Sequence, residues 1–195
     1  HEIFYPDKTA LSLKMKKTKG DKFKVVAMVR RRTVRRNPFN TLDLVLRLVH
    51  QFPQTIEVTI YGGTESDILF ALHYLIEERG EMANKTAKVL GSDAIVLKSV
   101  VKDRTDMADI FRAADLFIDM SWWQAYGRSG LEAMACGCVS IMPSTGASAE
   151  ICEDGKYCLA HDGNDEAGYY EKVVDILRRG MLYFNMVLRG LGNIQ

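Results

Sequence analysis

Five arginines crowd one short stretch of this chain, Arg30-Arg31-Arg32-Thr33-Val34-Arg35-Arg36-Asn37-Pro38. Guanidinium forks bind phosphate oxygens bidentately, and a helix N-terminus placed after them adds free N–H groups and a positive dipole end. The stretch follows an apolar strand pattern and precedes a helical one, which suits a phosphate or diphosphate. The competing reading is a solvated basic loop, and five side chains cannot all reach one anion. A second candidate runs from Ser121 through Trp122, Trp123, Gln124, Ala125, Tyr126, Gly127, Arg128, Ser129, Gly130 and Leu131 to Glu132. Here Gly127 and Gly130 would let backbone approach a ligand closely, and Ser129 reads as a helix N-cap whose amides face an anion. Ser129-x-x-Glu132 has the spacing of a capping box, so spacing alone makes Glu132 a cap. Trp122 and Trp123 read as core or interface aromatics. A third run of small residues, Ser144 to Glu150, fits a tight ligand approach or an ordinary turn.

These loops need elements to hold them. Phe23–Val29 is nearly uninterrupted apolar sequence, as expected of a strand buried on both faces. Apolar residues at Leu42, Val45, Leu46 and Val49 mark a helix over Asn40–Gln51. A strand at Ile56–Tyr61, a Gly62-Gly63 turn and a helix from about Ser66 follow, then a strand at Ala94–Leu97. Met107, Ile110, Phe111 and Ala114 repeat the helical stripe before a strand at Leu116–Asp119. Ser129–Ala135 reads as a helix closed by Gly137, Val139–Met142 as a strand halted by Pro143. Two last helices carry Tyr170, Val173, Val174 and Leu177, then Phe184, Val187, Leu188 and Leu191. This alternation predicts right-handed βαβ units, an α/β fold with a doubly wound parallel sheet. Ligands of such sheets bind beyond the carboxyl ends of the strands, which selects the loops leaving Val29, Tyr61, Leu97, Asp119 and Met142.

The chain has 195 residues, 47% of them hydrophobic, and a formal net charge of +1. That is one domain of ordinary soluble composition, which excludes disorder, collagen and coiled coil. The first fifty residues hold 13 Lys and Arg against four Asp and Glu, yet the stretch from Lys14 to Lys24 reads as a solvated basic linker. The near-neutral total and the lack of interleaved aromatic and basic residues argue against a nucleic-acid-binding protein. Cys136, Cys138, Cys152 and Cys158 show no metal-ligand spacing and read as reduced core thiols rather than disulfide partners. No apolar run reaches membrane-spanning length and nothing resembles a signal peptide. The start at His1 and the trailing Gly190–Gln195 predict a longer parent, with residues 1–21 as a leading linker, 22–180 as the domain, and 181–195 as a helix near a missing neighbour.

The stretch from Met107 to Asp162 resembles the C-terminal, nucleotide-sugar-binding domain of GT-B-fold retaining glycosyltransferases of the group 1 (family 4-like) class. The residues that carry the likeness are Phe111-Arg112-Ala113-Ala114-Asp115, Leu116-Phe117-Ile118, Ser121, Gln124-Ala125-Tyr126-Gly127 and Leu131-Glu132-Ala133-Met134-Ala135-Cys136-Gly137. Thr145-Gly146-Ala147, Glu150-Ile151 and Asp154-Gly155 extend it, and a weaker similarity reaches back to Phe23. The resemblance implies a Rossmann-like domain, one half of a GT-B fold, that binds a nucleoside-diphosphate sugar. It implies that Glu132 accepts bonds from the ribose hydroxyls, and that Arg30 with Arg35 or Arg36 neutralises the diphosphate. It further implies that Gly127-Arg128-Ser129 contacts the phosphates and sugar, with Gly62 and Tyr126 in the same set, and that Leu97-Lys98 holds the base. No cofactor or metal is implied, because basic side chains and a helix dipole stabilise the leaving diphosphate. The acceptor would come from an absent N-terminal domain, leaving this piece inactive alone. The parent would be cytoplasmic, with docking at the inner membrane face among the settings of enzymes that build lipid-linked glycans or polysaccharides. Three positions depart from the pattern. Gln124 stands where the family has the first of two glutamates, so the enzyme either keeps activity with an amide there or is a degenerate binding module. Val29 replaces a glycine, and arginine replaces lysine in the phosphate loop, which changes geometry but keeps charge.

Overall fold

In the computed structural model, which describes residues 3–15, 17, 20–30, 33–99, 101, 103–179, 183, 185–189 and 191, six strands form one parallel sheet. They are β1 (Phe23–Met28), β2 (Ile56–Tyr61), β3 (Ile95–Lys98), β4 (Leu116–Ile118), β5 (Val139–Pro143) and β6 (Leu159–His161), in spatial order β3-β2-β1-β4-β5-β6. The register runs Val25 to Val58 and Met28 to Tyr61 on one side of β1, and Val25 to Leu116 and Ala27 to Ile118 on the other. Strand order therefore reverses between β1 and β4, where the connecting loops must part.

Alternate residues of β1 feed two cores, as a strand period of two requires. Val25, Ala27 and Val29 pack with Leu42, Val45, Leu46 and Val49 of α2 (Pro38–Gln51) and with Tyr169, Val173 and Ile176 of α8 (Glu166–Arg178). Val26 and Met28 face the other way, against Ala108 and Phe111 of α5 (Arg104–Ala113) and Ala133 of α6 (Arg128–Ala135). α3 (Glu65–Arg79) is opened by a capping box between Thr64 and Asp67. Its last turn carries Arg79, which donates to Asp43 of α2 at 2.7 Å and, through both terminal nitrogens, to Glu166 of α8 at 2.6 and 2.7 Å. Burial pushes the Asp43 carboxyl up, and Arg79 and Arg47 oppose that.

The described part of the leading segment makes contacts with the domain, which a solvated linker would not. α1 (Lys8–Met15) lays Leu11 and Lys14 over Gly137, whose carbonyl accepts from Lys14 Nζ at 3.0 Å. Lys17 pairs with Asp115, and Arg112 holds the carbonyls of Ile3 and Tyr5. Lys16 and Lys19 lie outside the described residues. The cysteine expectation divides. Cys136 and Cys138 are free and buried, and burial lifts their thiols to about 11 and about 12. Cys152 and Cys158, at the two ends of the short segment that precedes β6, form a disulfide, contrary to the reduced reading. α4 (Glu81–Ala87), α7 (Ala147–Cys152) and β6 are too short to leave a periodic signal. Of the C-terminal helix, Tyr183, residues 185–189 and Leu191 are helical, Val187 is buried in the core, and Leu182, Phe184 and residues 192–195 lie outside the described set.

Two substitutions test this frame. Arg79→Ala should cost about 2 kcal/mol in urea unfolding, since it strips a charged partner from buried Asp43 and unties α2, α3 and α8. Gly130→Ala should cost ~1–3 kcal/mol by overpacking, because a Cβ there would sit 2.5 Å from Met142 Sδ. No change in the midpoint for either would refute the assigned contacts.

Candidate functional site

The loops after β1, β2 and β4 meet at the carboxyl edge around one side chain the sequence reading overlooked, Tyr61. Its ring is buried and makes an edge contact with Phe111, and its hydroxyl is buried with no hydrogen-bond partner at normal geometry. The Ser129 hydroxyl lies close enough to influence its titration, and Asp119, Arg36 and Arg30 lie within electrostatic reach. Burial, reinforced by Asp119, pushes the phenol far up. Arg30, Arg36 and Ser129 of the α6 opening thus come near one another at this point of the sheet edge.

Arg36 sits in a 3-10 turn, Val34–Arg36, that ends at Asn37 in the left-handed region. Its side chain is mostly buried and reaches Asp119 Oδ2 at 3.5 Å. Burial lowers its pKa, with Asp119 opposing and Arg35 and Arg30 adding to the fall. Arg35 turns instead to Trp123, its guanidinium 5.9 Å from the ring, while its carbonyl accepts from Trp122 N at 2.9 Å. Arg30 is exposed, and Arg31 and Arg32 lie outside the described residues. Asn37, buried, donates to the Gly163 carbonyl at 2.8 Å and so ties the start of α2 to the loop before α8.

α6 begins one residue earlier than its sequence suggests. Gly127, at φ 67°, is the N-cap and makes no side-chain cap bond, so Ser129 is an interior residue of the first turn. The expected capping box does not form, and this frees Glu132. Its carboxylate pairs with Arg104 of α5 at 3.4 Å, and burial raises its pKa against the pull of Arg104 and Arg128. Gly130 is not an opening for a ligand either, since its missing Cβ is where Met142 packs. Trp122, Trp123 and Tyr126 are exposed, at 43%, 48% and 64%, so the tryptophans are not core residues. Gly146 is small for a packing reason, because a Cβ there would sit 2.0 Å from the Gln124 carbonyl.

Gln124 itself is buried, with its amide nitrogen 2.7 Å from Asp119 Oδ2 and 3.1 Å from Ser121 Oγ. Asp119 is the second residue that the sequence reading passed over, though an acidic residue closing a buried apolar strand at this edge was a visible signal. Gly62, at φ 97°, abuts Met28 at the end of β2, beside Tyr61. Leu97 and Lys98 stand on the edge strand β3, where they pair in register with Ile60 and Tyr61. Lys98 and Ser99 line one end of a cleft of about 820 Å³ that runs along α5 toward Lys24 and Glu57 at the amino ends of β1 and β2. Tyr61, Arg30, Arg36, Asp119 and Ser129 do not line that cleft. Among the described residues no group of three or more His, Cys, Asp or Glu is placed to hold a metal ion, and no helix is long and apolar enough to cross a membrane.

Comparison with known proteins adds to this geometry. A D-inositol 3-phosphate glycosyltransferase of Mycobacterium leprae is 28% identical over 142 residues, which is 73% of this chain and 31% of that protein. The chain thus spans under a third of the length of the curated relative it matches. The fold is that of the C-terminal domain of a group 1 glycosyl transferase, LpcC, from Francisella tularensis, with TM-score 0.72, 18% identity, and coverage of 98% of this chain and 93% of that one. It is also similar to Anabaena Alr3699/HepE, solved in complex with UDP and glucose, with TM-score 0.71, 16% identity, and coverage of 98% and 48%. Residues 24–179 match the family of group 1 glycosyl transferases, and the chain, a Rossmann-like half of a GT-B fold, belongs to that family.

Proposed function

We propose that this chain binds the nucleoside-diphosphate sugar of a retaining glycosyl transfer, in the crevice at the carboxyl edge between β1 and β4. The observation that carries this reading is the gathering of Arg30, Arg36 and the Ser129 end of α6 around buried Tyr61. Two guanidiniums and a helix N-terminus at one point of the sheet edge are the groups a diphosphate calls for. The solved relative that holds UDP and glucose supports the same class of ligand. Arg30 and Arg36 would stabilise the charge that develops on the leaving diphosphate, interactions that strengthen toward the transition state. Arg35, engaged with Trp123, would reach the ligand only by leaving that ring. Gly62, Tyr126 and the Gly127-Arg128-Ser129 backbone would flank the phosphates and sugar, Glu132 the ribose, and Leu97-Lys98 the base, with no metal or other cofactor required. The acceptor would be brought by a further domain of a longer protein, so that transfer belongs to the two together.

Titration of UDP, GDP and ADP into this chain tests the site directly, and we expect saturable heat from at least one of them. Silence from all of them at millimolar concentration would sink the reading. Arg30→Ala removes an exposed charge, so it should leave the unfolding midpoint unchanged while weakening nucleotide binding about tenfold, the loss of one charge-assisted bond. A second variant separates function from packing. Because burial raises the Glu132 carboxyl, its contribution to folding is fullest below the ordinary carboxyl range and is lost as pH rises through the raised value. At neutral pH the ionised group is therefore a net cost. Glu132→Gln should raise Tm slightly at pH 7 and weaken nucleotide binding about tenfold or more. Unchanged affinity would remove Glu132 from the site.

A further inference from the structure

Asp119 is 3% exposed and Gln124 is 4% exposed, and the two are bonded to each other beneath the proposed site. Asp119 Oδ1 accepts from the Ser121 backbone N–H at 3.0 Å and from the Ser121 hydroxyl, while Oδ2 faces the Gln124 amide nitrogen and Arg36. Both hydrogens of Gln124 Nε2 are thus directed, one to Asp119 and one to Ser121 Oγ. A flipped amide would set its carbonyl oxygen against an ionised carboxylate, so the chemistry of Asp119 decides which way Gln124 points. The backbone here is closely packed, because Gln124 bridges Gly146 in parallel and a Cβ on Gly146 would sit 2.0 Å from the Gln124 main-chain carbonyl.

We infer that Asp119 is a positioning residue that makes a neutral amide obligatory at position 124 and leaves the Gln124 carbonyl oxygen as the end offered to a ligand. The negative charge of this site then sits on Asp119, where it balances Arg36, and Gln124 acts as an acceptor without charge. The part of this that concerns a ligand rests on the proposed sugar-donor site; the pairing itself does not. A glutamate at 124 would put a second carboxylate within about 2.7 Å of Asp119 in a buried place. Like charges that close share a proton, and one of the two is held protonated well above its ordinary range. On this account Gln124→Glu repairs nothing. It installs a pH-dependent fault.

Four proteins test the inference: the unaltered chain, Gln124→Glu, Asp119→Asn, and the double variant that exchanges the charge, Asp119→Asn with Gln124→Glu. Tm is measured from pH 5 to 8, and UDP, GDP and ADP are titrated into each. The charged and titratable groups facing Asp119 are Arg36 from the β1 loop, Tyr61 from β2 and Tyr169 from α8. Both phenols are pushed up by burial, so neither titrates in this window. His161, which edges Tyr169, is common to all four and cancels in the comparison. We expect Gln124→Glu to lose Tm progressively as pH rises relative to the unaltered chain, and the double variant to recover a profile parallel to it. Nucleotide affinity should fall at least tenfold in Asp119→Asn, which frees the amide to turn, and return in part in the double variant. A flat profile for Gln124→Glu, or a double variant no better than its singles combined, overturns the inference. If Gln124→Glu does not fold, a folded double variant supports it and an unfolded one overturns it. If no nucleotide binds even the unaltered chain, the sugar-donor reading fails while the pH profiles still decide the pair.

Discussion

A parallel sheet clothed by helices on both faces can expose chemistry only at its rim, and the reversal of strand order between β1 and β4 decides where on the rim. The chain leaves β1 into α2 on one face, whose residues join the core of Val25 and Ala27, and enters α6 on the other, whose Ala133 joins that of Val26 and Met28. Two helices therefore begin at the same gap from opposite sides, and their first turns bring unpaired N–H groups to it. The arginines of the first loop and the small residues of the fourth stand at the two lips of a gap that connectivity opens. No side chain has to be carried far to reach it, which is why one chain segment of this size suffices to build the crevice.

A gap lined by guanidiniums and helix termini would be unstable without ligand unless something negative were built in. Asp119 fills that role. It ends β4 with its backbone tied to Ile141 and to the Tyr169 hydroxyl, so the carboxylate is held by the sheet itself rather than by a loop. One buried charge pairs with Arg36, and its remaining lone pairs are met by Ser121 and Gln124. A buried ion pair repays its desolvation only when its other valences are satisfied in this way. Arg30 is left exposed and Arg35 lies over Trp123, so among the described residues of this loop Arg36 alone is paired with a carboxylate.

Much of this was legible in the residues, and the misses share a cause. Apolar runs as plain as Phe23–Met28 and Ile56–Tyr61 had to be buried parallel strands, and the helical stripe of Leu42, Val45, Leu46 and Val49 left no other reading. That the loops after β1 and β4 leave at the carboxyl edge follows from strand and helix alternation alone. What failed depended on a single backbone angle or on the irregular course of a short loop. Gly127 in the left-handed region starts α6 early and cancels the capping box that Ser129 and Glu132 spell out. Asp119 and Gln124 are five residues apart and meet because the loop between them turns back on itself. Cys152 and Cys158 pair across a turn whose strand, β6, is too short to announce itself. Spacing rules see the repeats of regular helix and strand, and each of these depends on irregular backbone.

The glycines of α6 show how the same residues serve site and core at once. Gly127 and Gly130 suggested room for a ligand, yet the space beside them is taken from behind by Met142, which in turn touches Cys158 at 3.8 Å between sulfurs. That sulfur-lined cluster of Met134, Met142, Cys152 and Cys158 presses on the rear of the first turn. An unbranched, polarisable side chain can fill the slot left by two absent Cβ atoms where a branched one could not. The amides that open α6 are thereby fixed from the side away from the crevice, with no polar side chain spent on capping them. A helix start that is held by packing keeps its N–H groups free, whereas one held by a cap has already used them; for the diphosphate site proposed above, the uncapped start is the more useful construction.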